Sequence, residues 1–533
     1  MKRCVVWMLG AAIVAGVVAG AVAASPPGGP ILTNVASANT KSVGYAPPDV
    51  LSPELQQTAV AQGSTKVENP SAAVSYYGYD NDLLNEGGQP VMVPAGAFSS
   101  EAHKTEPDKN TYLVFKDSLP GADPNYDYGT HFLFQGHETG SPGYITRINL
   151  DADTAHRVTV LAATDANGAP IADIDGSTWD PWAKRLLFTT ENQNAPTYAA
   201  TPGYPSTVTD VSGALGRGGY EGIQNDSAGD IWIAEDIGGS AKAGTTAKRP
   251  NSFIYRYVPQ APGDLENGRL EALQVLNQAG APITFDTEAA LNNSDQVALH
   301  TYGVVLKTRW VDVHDTATQG DTAFNANLAA KAAGATPFKR PENGQFRPGS
   351  KFTEFYFDET GDTNATSPEN GTAGGWGSIM KLTQSSPDAA AGTITMFYRS
   401  NEATAGFDNV TFLSRDAVTF VQDAGDTLHT QSGILDSGYV FDVGTDYSNP
   451  ANQPLRWLAE GRDPSATLDA SSGGFGKNEG DNEITGVHVS DGDPSVDGIL
   501  GAKVPQLSDN KSWRWFYTQQ HGDNSTWEVT AAG

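Results

Sequence analysis

Carboxylate side chains bracket a short apolar strand within residues 219–239 of this sequence. Glu221 precedes a turn, the strand Ile231–Ala234 follows the turn, and Glu235 and Asp236 end the unit. The strand is too short and too rich in β-branched and aromatic residues to be a helix. Because the acids flank a rigid strand, their side chains have fixed positions. This arrangement suits the binding of hard metal ions through oxygen ligands.

The same order of acid, strand, turn, strand and acid recurs along the chain. Asp175 and Glu191 take the two acidic positions in one further copy, and Asp408 takes the first position in another. Weaker copies contribute three further acids: Glu138, Glu342 and Glu483. The separation of Glu191 and Asp236 is close to the length of one four-stranded propeller blade, roughly 40–50 residues. The repeats therefore predict blades around a common axis.

Short strands are the elements that would position these acids. From about residue 74 almost to the end, β-like segments alternate with clusters of Gly, Pro, Asn and Asp, and glycine is abundant at 58 residues. This pattern is typical of all-β folds. We predict an all-β, six-bladed β-propeller with insertions, and a large β-sandwich is the second choice. An alanine-rich stretch at Ala323–Ala333 predicts a helix in one insertion.

The innermost strands of a propeller surround a central channel, and an acid at one position of each inner strand would face that channel. Five acids occupy this predicted position: Asp175, Glu221, Glu342, Asp408 and Glu483. Carboxylates that share a cavity repel one another unless protons or cations neutralise them. Oxygen ligands in this number suit Ca²⁺ and leave room for Fe³⁺ or Mn²⁺. The alternative is that each acid caps its own turn.

Arg340 lies two residues before Glu342 in the sequence Arg-Pro-Glu-Asn. A guanidinium beside a metal-binding carboxylate could hold an anion such as phosphate against the metals, because its parallel N–H groups match two oxyanion oxygens. The alternative is a salt bridge within the loop. We therefore take Arg340, Glu221 and Glu342 as the candidate catalytic residues.

Charge and cysteine content exclude several classes of protein. Acids outnumber bases by 62 to 33, giving a formal net charge of −29, which argues against nonspecific nucleic-acid binding. The sole cysteine is Cys4, so the rest of the chain offers no thiolate ligand and no cysteine nucleophile. The sequence motifs of serine hydrolases, P-loop enzymes and zincins are absent. We expect a monomer with no nucleic-acid partner.

The N-terminus has the features of an export signal. Lys2 and Arg3 precede an apolar run from Val5 to about Ala21, and residues 21–23 have the small-x-small form of a cleavage site. The alternative is a membrane anchor, but polar and proline-rich sequence follows at once. No later stretch is long and apolar enough to span a bilayer. We predict a periplasmic or secreted protein.

The composition of the chain predicts three segments. They are a signal peptide at 1–24, a flexible linker at 25–70 with a short helix near Pro53–Gln62, and a β-propeller domain at 71–533. The linker prediction rests on its content of Pro, Ala, Ser, Thr and Asn.

Six motifs, in order along the chain, resemble the PhoX-like alkaline phosphatases. The motifs are GHETGSPGYITRINLD at 136–151, DPWAKRLLFTTEN at 180–192, GYEGIQNDSAGDIWIAED at 219–236, FKRPEN at 338–343, FDN with VTFVQD within 407–423, and NEITGVHVSDG with FYTQQHGD near the end. The resemblance implies a six-bladed propeller whose axial cluster of Ca²⁺ and Fe³⁺ hydrolyses small phosphorylated substrates. The resemblance assigns metal binding to Glu221 and Glu342 and phosphate binding to Arg340. It also places three residues in the acidic set: Glu138, Glu191 and Asp236.

The chain departs from the family pattern just before Pro181. The family binds iron partly through a cysteine there, whereas this sequence has Asp175-Gly176-Ser177. Asp175 could supply an oxygen ligand instead, so the prediction is Ca²⁺, with Fe³⁺ or another transition metal as the alternative. We predict an exported, metal-dependent phosphatase that acts on phosphomonoesters. The alternatives are a non-catalytic, calcium-stabilised propeller that binds a partner, and another propeller hydrolase such as a lactonase.

Overall fold

The structure is a computed structural model that describes most of the chain. The described residues are 29–41, 47–79, 105–138, 143–285, 294–364, 366, 371–461, 483–509, 512–520 and 524–533. The predicted signal peptide at 1–24 lies outside them.

Antiparallel strands are the main regular elements of the described structure. In chain order they are β1 Val50–Leu51, β2 Leu55–Ala61, β3 Thr111–Val114, β4 His131–Gly136, β5 Ile145–Asn149, β6 Val158–Ala162, β7 Ile174–Asp180, β8 Arg185–Thr190, β9 Tyr198–Ala200, β10 Val208–Asp210, β11 Tyr220–Asn225, β12 Ile231–Glu235, β13 Ile254–Pro259, β14 Gly268–Leu276, β15 Leu306–Asp315, β16 Gly344–Phe346, β17 Glu354–Glu359, β18 Ser378–Gln384, β19 Ala391–Arg399, β20 Phe407–Phe412, β21 Ala417–Gln422, β22 Ser437–Asp442, β23 Leu455–Ala459, β24 Glu483–Ser490, β25 Arg514–Gln520 and β26 Ser525–Ala531.

The helices of the described residues are short. They are α1 Ser212–Leu215, α2 Ser294–Leu299, α3 Thr316–Gln319, α4 Ala326–Ala333 and α5 Gly425–Ser432. None of them has the length and apolar character needed to cross a bilayer. Asn325 caps the N-terminus of helix α4, and its side chain accepts a hydrogen bond from the Leu328 N–H. The helix ends at Gly334, whose backbone has the left-handed conformation. It confirms the helix predicted for the Ala323–Ala333 stretch.

Six groups of four antiparallel strands are arranged around a common axis. We number them as blades 1 to 6: β3–β6, β7–β10, β11–β14, β16–β19, β20–β23, and β24–β26 with β2. The innermost strands β3, β7, β11, β16, β20 and β24 contact one another in that order and close into a ring. The predicted β-propeller class is therefore confirmed, and the alternative of a β-sandwich is not observed.

The described strands form five hydrogen-bonded sheets, not the six separate ones that a six-bladed propeller predicts. Strand β15 pairs with β14 of blade 3 and also with β19 of blade 4, which joins both blades into one nine-stranded sheet. β15 belongs to the insertion that carries α3 and α4. The difference arises because this insertion brings its own strand, which the repeat pattern does not encode.

Strands from the N-terminal segment complete blades 5 and 6. β2 pairs antiparallel with β26, from Leu55 opposite Ala531 to Ala61 opposite Thr526, and β1 pairs with β23. The predicted helix near Pro53–Gln62 is therefore wrong, because most of these residues form strand β2. The prediction of a flexible linker at 25–70 is corrected for β1 and β2, which form ladder hydrogen bonds with strands near the C-terminal end of the chain. The pairing closes the ring and covers two strand edges.

Large apolar side chains pack between neighbouring blades. Between blades 3 and 4, the ring of Trp232 lies 5.0 Å from the rings of Phe346 and Phe355, measured between centroids. Between blades 5 and 6, Trp457 and Trp515 lie 4.5 Å apart. Burying such a side chain contributes roughly 2–3 kcal/mol. This packing fixes the blades, and with them the inner strands, relative to one another.

Candidate metal centre

One backbone hydrogen bond recurs in five blades and defines equivalent positions. The N–H of a residue one or two positions after the second strand donates to a backbone carbonyl at the entrance to the innermost strand. The pairs are Glu138 to Glu106, Glu191 to Asp173, Asp236 to Gly219, Thr360 to Arg340 and Asp423 to Gly406, at 2.6 to 3.0 Å. In blade 6 the strand ladder pairs Gln520 with Glu483 at the same place.

Two rings of side chains follow from this register. The inner ring consists of the residue two positions after each acceptor residue, and after Glu483 in blade 6. Its members are Asp108, Asp175, Glu221, Glu342, Asp408 and Thr485. The outer ring comprises the N–H donors Glu138, Glu191, Asp236, Thr360, Asp423 and Gln520. Five inner and four outer members are therefore acids. In β7, β11 and β20 the inner acid sits at a β-bulge, which re-aims a side chain.

The structure adds Asp108 to the predicted acids and moves Glu483 out of the inner ring. Asp108 lies in the sequence Pro-Asp-Lys-Asn directly before β3, which is the signal that could have identified it. Glu483 lies two residues before the inner-ring position of blade 6, because the bulge of β24 comes later in that strand. Thr485 occupies the inner position and donates a hydrogen bond of 2.6 Å to Asp108. The metal-ligand role of Glu483 stays a prediction.

Three groups of carboxylates bring their oxygens within 4.8 Å of one another. The groups are Asp108 with Glu138 and Asp175, Asp175 with Glu191 and Glu221, and Glu221 with Asp236 and Glu342. Adjacent groups share Asp175 and Glu221, so the acids of blades 1 to 4 form one continuous series. Asp408 belongs to the inner ring but accepts hydrogen bonds from Asn409 Nδ2, the shorter at 2.9 Å.

Burial and mutual repulsion disfavour negative charge on these acids. Burial raises the pKa of Asp175, Glu221 and Glu342 well above the ordinary carboxyl range, and neighbouring carboxylates raise it further. The pKa of Glu191 rises to about 7, first through burial and then through repulsion by Asp236. Metal cations among the oxygens would stabilise the ionised form of every member.

Arg340 lies at the edge of the series. Its Nε lies 2.8 Å from both carboxylate oxygens of Asp236, and its Nη2 lies 3.4 Å from Glu342 Oε1. The side chain is 18% exposed, so the guanidinium reaches solvent as well as the acids. The backbone at Arg340 has φ of 60°, which places it in the left-handed region. The sequence predicted the proximity of Arg340 and Glu342, and the structure adds Asp236 to the contact.

Lys109 places a buried ammonium group among the acids, which the sequence did not predict. Its Nζ donates to Asn409 Oδ1 at 2.6 Å and to the Val487 carbonyl at 3.2 Å. Burial lowers the pKa of Lys109 to about 8, although Asp408 and Asp108 attract its charge. Lys109 thus neutralises part of the acid charge where blades 1, 5 and 6 meet.

Comparison with known proteins finds a match to one family. The family model described as alkaline phosphatase PhoX matches residues 243–493. The chain is PhoX-like. The match supports the predicted enzyme class, that of the phosphoric monoester hydrolases. A search of curated proteins finds no match.

Solved structures show the same fold. Pseudomonas fluorescens PhoX in complex with vanadate, a transition state analogue, aligns with a TM-score of 0.51 at 10% identity, over 93% of this chain and 98% of that one. A gluconolactonase, XC5397 from Xanthomonas campestris, aligns at 11% identity with a TM-score of 0.26 over 79% of this chain and 98% of that one. At this identity the first alignment supports the propeller fold of the PhoX-like chain. The TM-score of the second alignment is too low to support a conclusion about this chain.

The acidic side chains of this PhoX-like chain fit hard cations. Every donor in the series is a carboxylate oxygen, and hard cations such as Ca²⁺ prefer six to eight oxygen ligands. Within the described residues, Asp175 Oδ1 and the amide oxygen of Asn343 are buried without a hydrogen-bond partner. Buried oxygens of this kind are costly unless a ligand satisfies them. The segment Asp175-Gly176-Ser177 offers oxygen atoms and no thiolate.

A cavity connects the acids to solvent. Its volume is about 480 Å³, and Glu138, Glu191 and Asp236 line it. A larger cavity of about 1090 Å³ lies at the opposite ends of the strands, beside His131 and Arg514, and contains no member of the acidic series. Of these two cavities, only the smaller one borders the candidate centre within the described residues.

Proposed function

We propose that the chain is an exported, metal-dependent phosphatase that hydrolyses phosphomonoesters at the acidic series on the propeller axis. The observation that carries this proposal is the continuous set of carboxylates with Arg340 beside it. Carboxylates alone indicate only a cation site, but a partly exposed guanidinium next to them adds recognition of an oxyanion. The match to the PhoX family indicates that the oxyanion is a phosphoryl group.

Six acids would hold the metal ions: Asp175, Glu221, Glu342, Glu138, Glu191 and Asp236. Asp108 would be a seventh ligand, because its carboxylate is grouped with those of Glu138 and Asp175. Metal ions held by these residues would supply Lewis-acid polarisation of the phosphoryl oxygens and activation of a water molecule. Arg340 would bind the substrate phosphate beside Asp236, which lines the cavity, and would stabilise the charge that develops during hydrolysis. The oxygen-only donor set favours Ca²⁺, and Fe³⁺ or another transition metal is the alternative.

Export and a monomeric state remain part of this proposal. The signal sequence at 1–24 supports export to the periplasm or the medium. Small phosphorylated molecules are the expected substrates, because the cavity of about 480 Å³ accommodates a ligand of that size.

An assay of 4-nitrophenyl phosphate hydrolysis with and without chelator tests the proposal. We expect activity to disappear with EDTA and to return with Ca²⁺, alone or together with Fe³⁺, while elemental analysis follows the bound metal. Glu221→Gln should lose metal and at least about a hundredfold in kcat/KM. The matched control is Glu266→Gln, an exposed acid on the turn between β13 and β14. Folded, metal-loaded protein without turnover would overturn the proposal and favour a calcium-stabilised binding propeller.

A further inference from the structure

The cavity beside the candidate centre also shows which leaving groups it would accept. Beyond the three outer-ring acids, its lining consists of Asp173, Asn192, Gln193, Asn194, Ile237 and Gly238. Under the proposed function, a substrate whose phosphate reaches the acids and Arg340 has its alcohol part in this cavity. The chemistry of the lining therefore selects among phosphomonoesters.

Hydrogen bonds hold the turn after β8, which supplies most of this lining. Asn192 Oδ1 accepts from the Asn194 N–H at 2.9 Å, and Asn192 Nδ2 donates to Asp173 at 3.1 Å. Arg217 Nη1 donates to the Asn194 carbonyl at 3.1 Å. Arg217 is itself paired with Asp210 at 3.1 Å. The turn is thus fixed before a ligand arrives, which lowers the entropic cost of binding.

Two side-chain amides on this turn are available to a ligand. Gln193 and Asn194 are exposed and line the cavity. Among the described residues neither amide group has a hydrogen-bond partner. Each amide offers two donors and one acceptor oxygen. Hydroxyl groups both donate and accept, so a polyhydroxylated alcohol would match these amides.

The charge of the lining disfavours other alcohols. Asp173 adds a carboxylate to the three outer-ring acids of the lining and lies outside the proposed set of metal ligands, and the described lining residues include no lysine, arginine or aromatic residue. A second anionic group on the substrate would be repelled by Asp173. An aryl group would find no ring on which to stack. Ile237 is the one large apolar side chain of the described lining.

We infer that the cavity selects phosphomonoesters of neutral polyhydroxylated alcohols, namely sugars and polyols, through the amides of Gln193 and Asn194. The inference rests on the proposed phosphatase function. In hydrolysis the oxygen of water forms a bond to phosphorus, the ester P–O bond breaks, and the alcohol oxygen leaves with a proton. The products are inorganic phosphate and a neutral polyol. The two amides contact the hydroxyl groups of the leaving alcohol.

A comparison of two primary alkyl esters tests this inference. Metal-loaded full-length protein is assayed with glucose 6-phosphate and with n-hexyl phosphate, whose leaving groups have similar reactivity. We expect kcat/KM to favour the sugar ester by about tenfold or more, because the hexyl chain leaves polar groups unpaired. The double variant Gln193→Leu, Asn194→Leu should reduce this ratio to about threefold or less. Gln278→Leu, an exposed glutamine on the turn after β14, is the matched control and should preserve the ratio.

Each outcome distinguishes this inference from the phosphatase proposal. A wild-type kcat/KM for n-hexyl phosphate that equals or exceeds that for glucose 6-phosphate would overturn the inference, and so would an unchanged ratio in the double variant. Turnover of 4-nitrophenyl phosphate in the same samples would leave the phosphatase proposal standing. No turnover of any of the three esters would overturn both. If the double variant does not fold, the single variant Gln193→Leu, at an exposed position, decides the result.

Discussion

At the scale of single residues, two cations near the acids have different roles. Lys109 is fully enclosed, and its ammonium is held by Asn409 and a backbone carbonyl. Arg340 is partly exposed and contacts Asp236 and Glu342. Burial makes Lys109 a fixed part of the charge balance, whereas Arg340 can exchange its contacts for a ligand.

Replacing Lys109 should destabilise the protein strongly. Lys109→Met removes a buried cation and leaves neighbouring acids such as Asp408 without their counter-charge, which costs about 3–5 kcal/mol. Urea unfolding followed by fluorescence measures the change. Lys307→Met, at an exposed position of β15, is the control and should stay within about 0.5 kcal/mol of wild type. Equal stability of the two variants would show that Lys109 does not balance the acids.

Replacing Arg340 should impair catalysis more than stability. Arg340→Lys keeps a charge but cannot form two parallel bonds to an oxyanion. We expect kcat/KM for 4-nitrophenyl phosphate to fall by about a hundredfold, and inorganic phosphate to inhibit the variant more weakly. The control is Arg309→Lys, whose guanidinium bonds Gln274 on blade 3. If Arg340→Lys retains wild-type inhibition by phosphate, Arg340 does not bind the phosphate.

At the scale of elements, close contacts between inner strands position the acids. A Cβ atom on Gly176 would lie 1.9 Å from the Glu221 carbonyl oxygen and 2.6 Å from Thr189 Oγ1. A Cβ on Gly222 would lie 2.8 Å from the Cα of Asn343. Strands β7, β11 and β16 can therefore approach only because these positions are glycine. The approach brings the acids of adjacent blades into shared groups.

The variant Gly176→Ala should separate β7 from β11. We expect a loss of about 1–3 kcal/mol in stability, as for overpacking elsewhere, and weaker Ca²⁺ binding in calorimetric titration. Gly371→Ala is the control, because nothing lies within 4 Å of the added Cβ. Unchanged Ca²⁺ affinity in Gly176→Ala would contradict the view that the contact between β7 and β11 sets the centre.

The repeat unit could be predicted from sequence, but its exact register in every blade could not. Glu221 and Asp175 were predicted because each is followed by a strand, a turn and a second acid. Asp108 was missed because it lies before β3, whereas Asp175 and Glu221 lie within β7 and β11. Glu483 was displaced because the later bulge of β24 has no sequence signature. The pairing of Leu55–Ala61 with β26 is non-local, so no local pattern indicates it.

At the scale of the whole molecule, the excess of acids couples stability to pH and to metal. The chain carries 62 acids against 33 bases. Burial raises the pKa of Glu191 from its ordinary value of 4.5 to about 7, and burial also raises the pKa values of Asp175 and Glu221. These acids therefore bind more protons in the metal-free folded state than in the unfolded state above pH 4.5. Their contribution to stability is greatest below that pH and falls as the pH rises through about 7 and beyond, whereas the buried His137 and His488, whose pKa values burial lowers to about 3, contribute in the opposite sense at acidic pH.

The metal-free protein should accordingly melt at a lower temperature at pH 8 than at pH 5. Ca²⁺ binds the ionised form of the acids, so Ca²⁺ should raise the melting temperature more at pH 8 than at pH 5. Calorimetry of EDTA-treated and Ca²⁺-loaded samples at both pH values measures this. Glu221→Gln should show a smaller response to Ca²⁺ than Glu266→Gln. If the melting temperature of the metal-free protein rises between pH 5 and pH 8, the inference that these buried acids have raised pKa values is wrong.

The most direct test of the central claim is a crystal structure of the Ca²⁺-loaded protein grown with inorganic phosphate. We predict anomalous density from metal ions about 2.3–2.6 Å from the oxygens of Glu221, Asp175 and Glu342, with phosphate in contact with Arg340. Metal ions bound only at surface loops, with the carboxylates on the axis bonded to protein or water alone, would contradict the account.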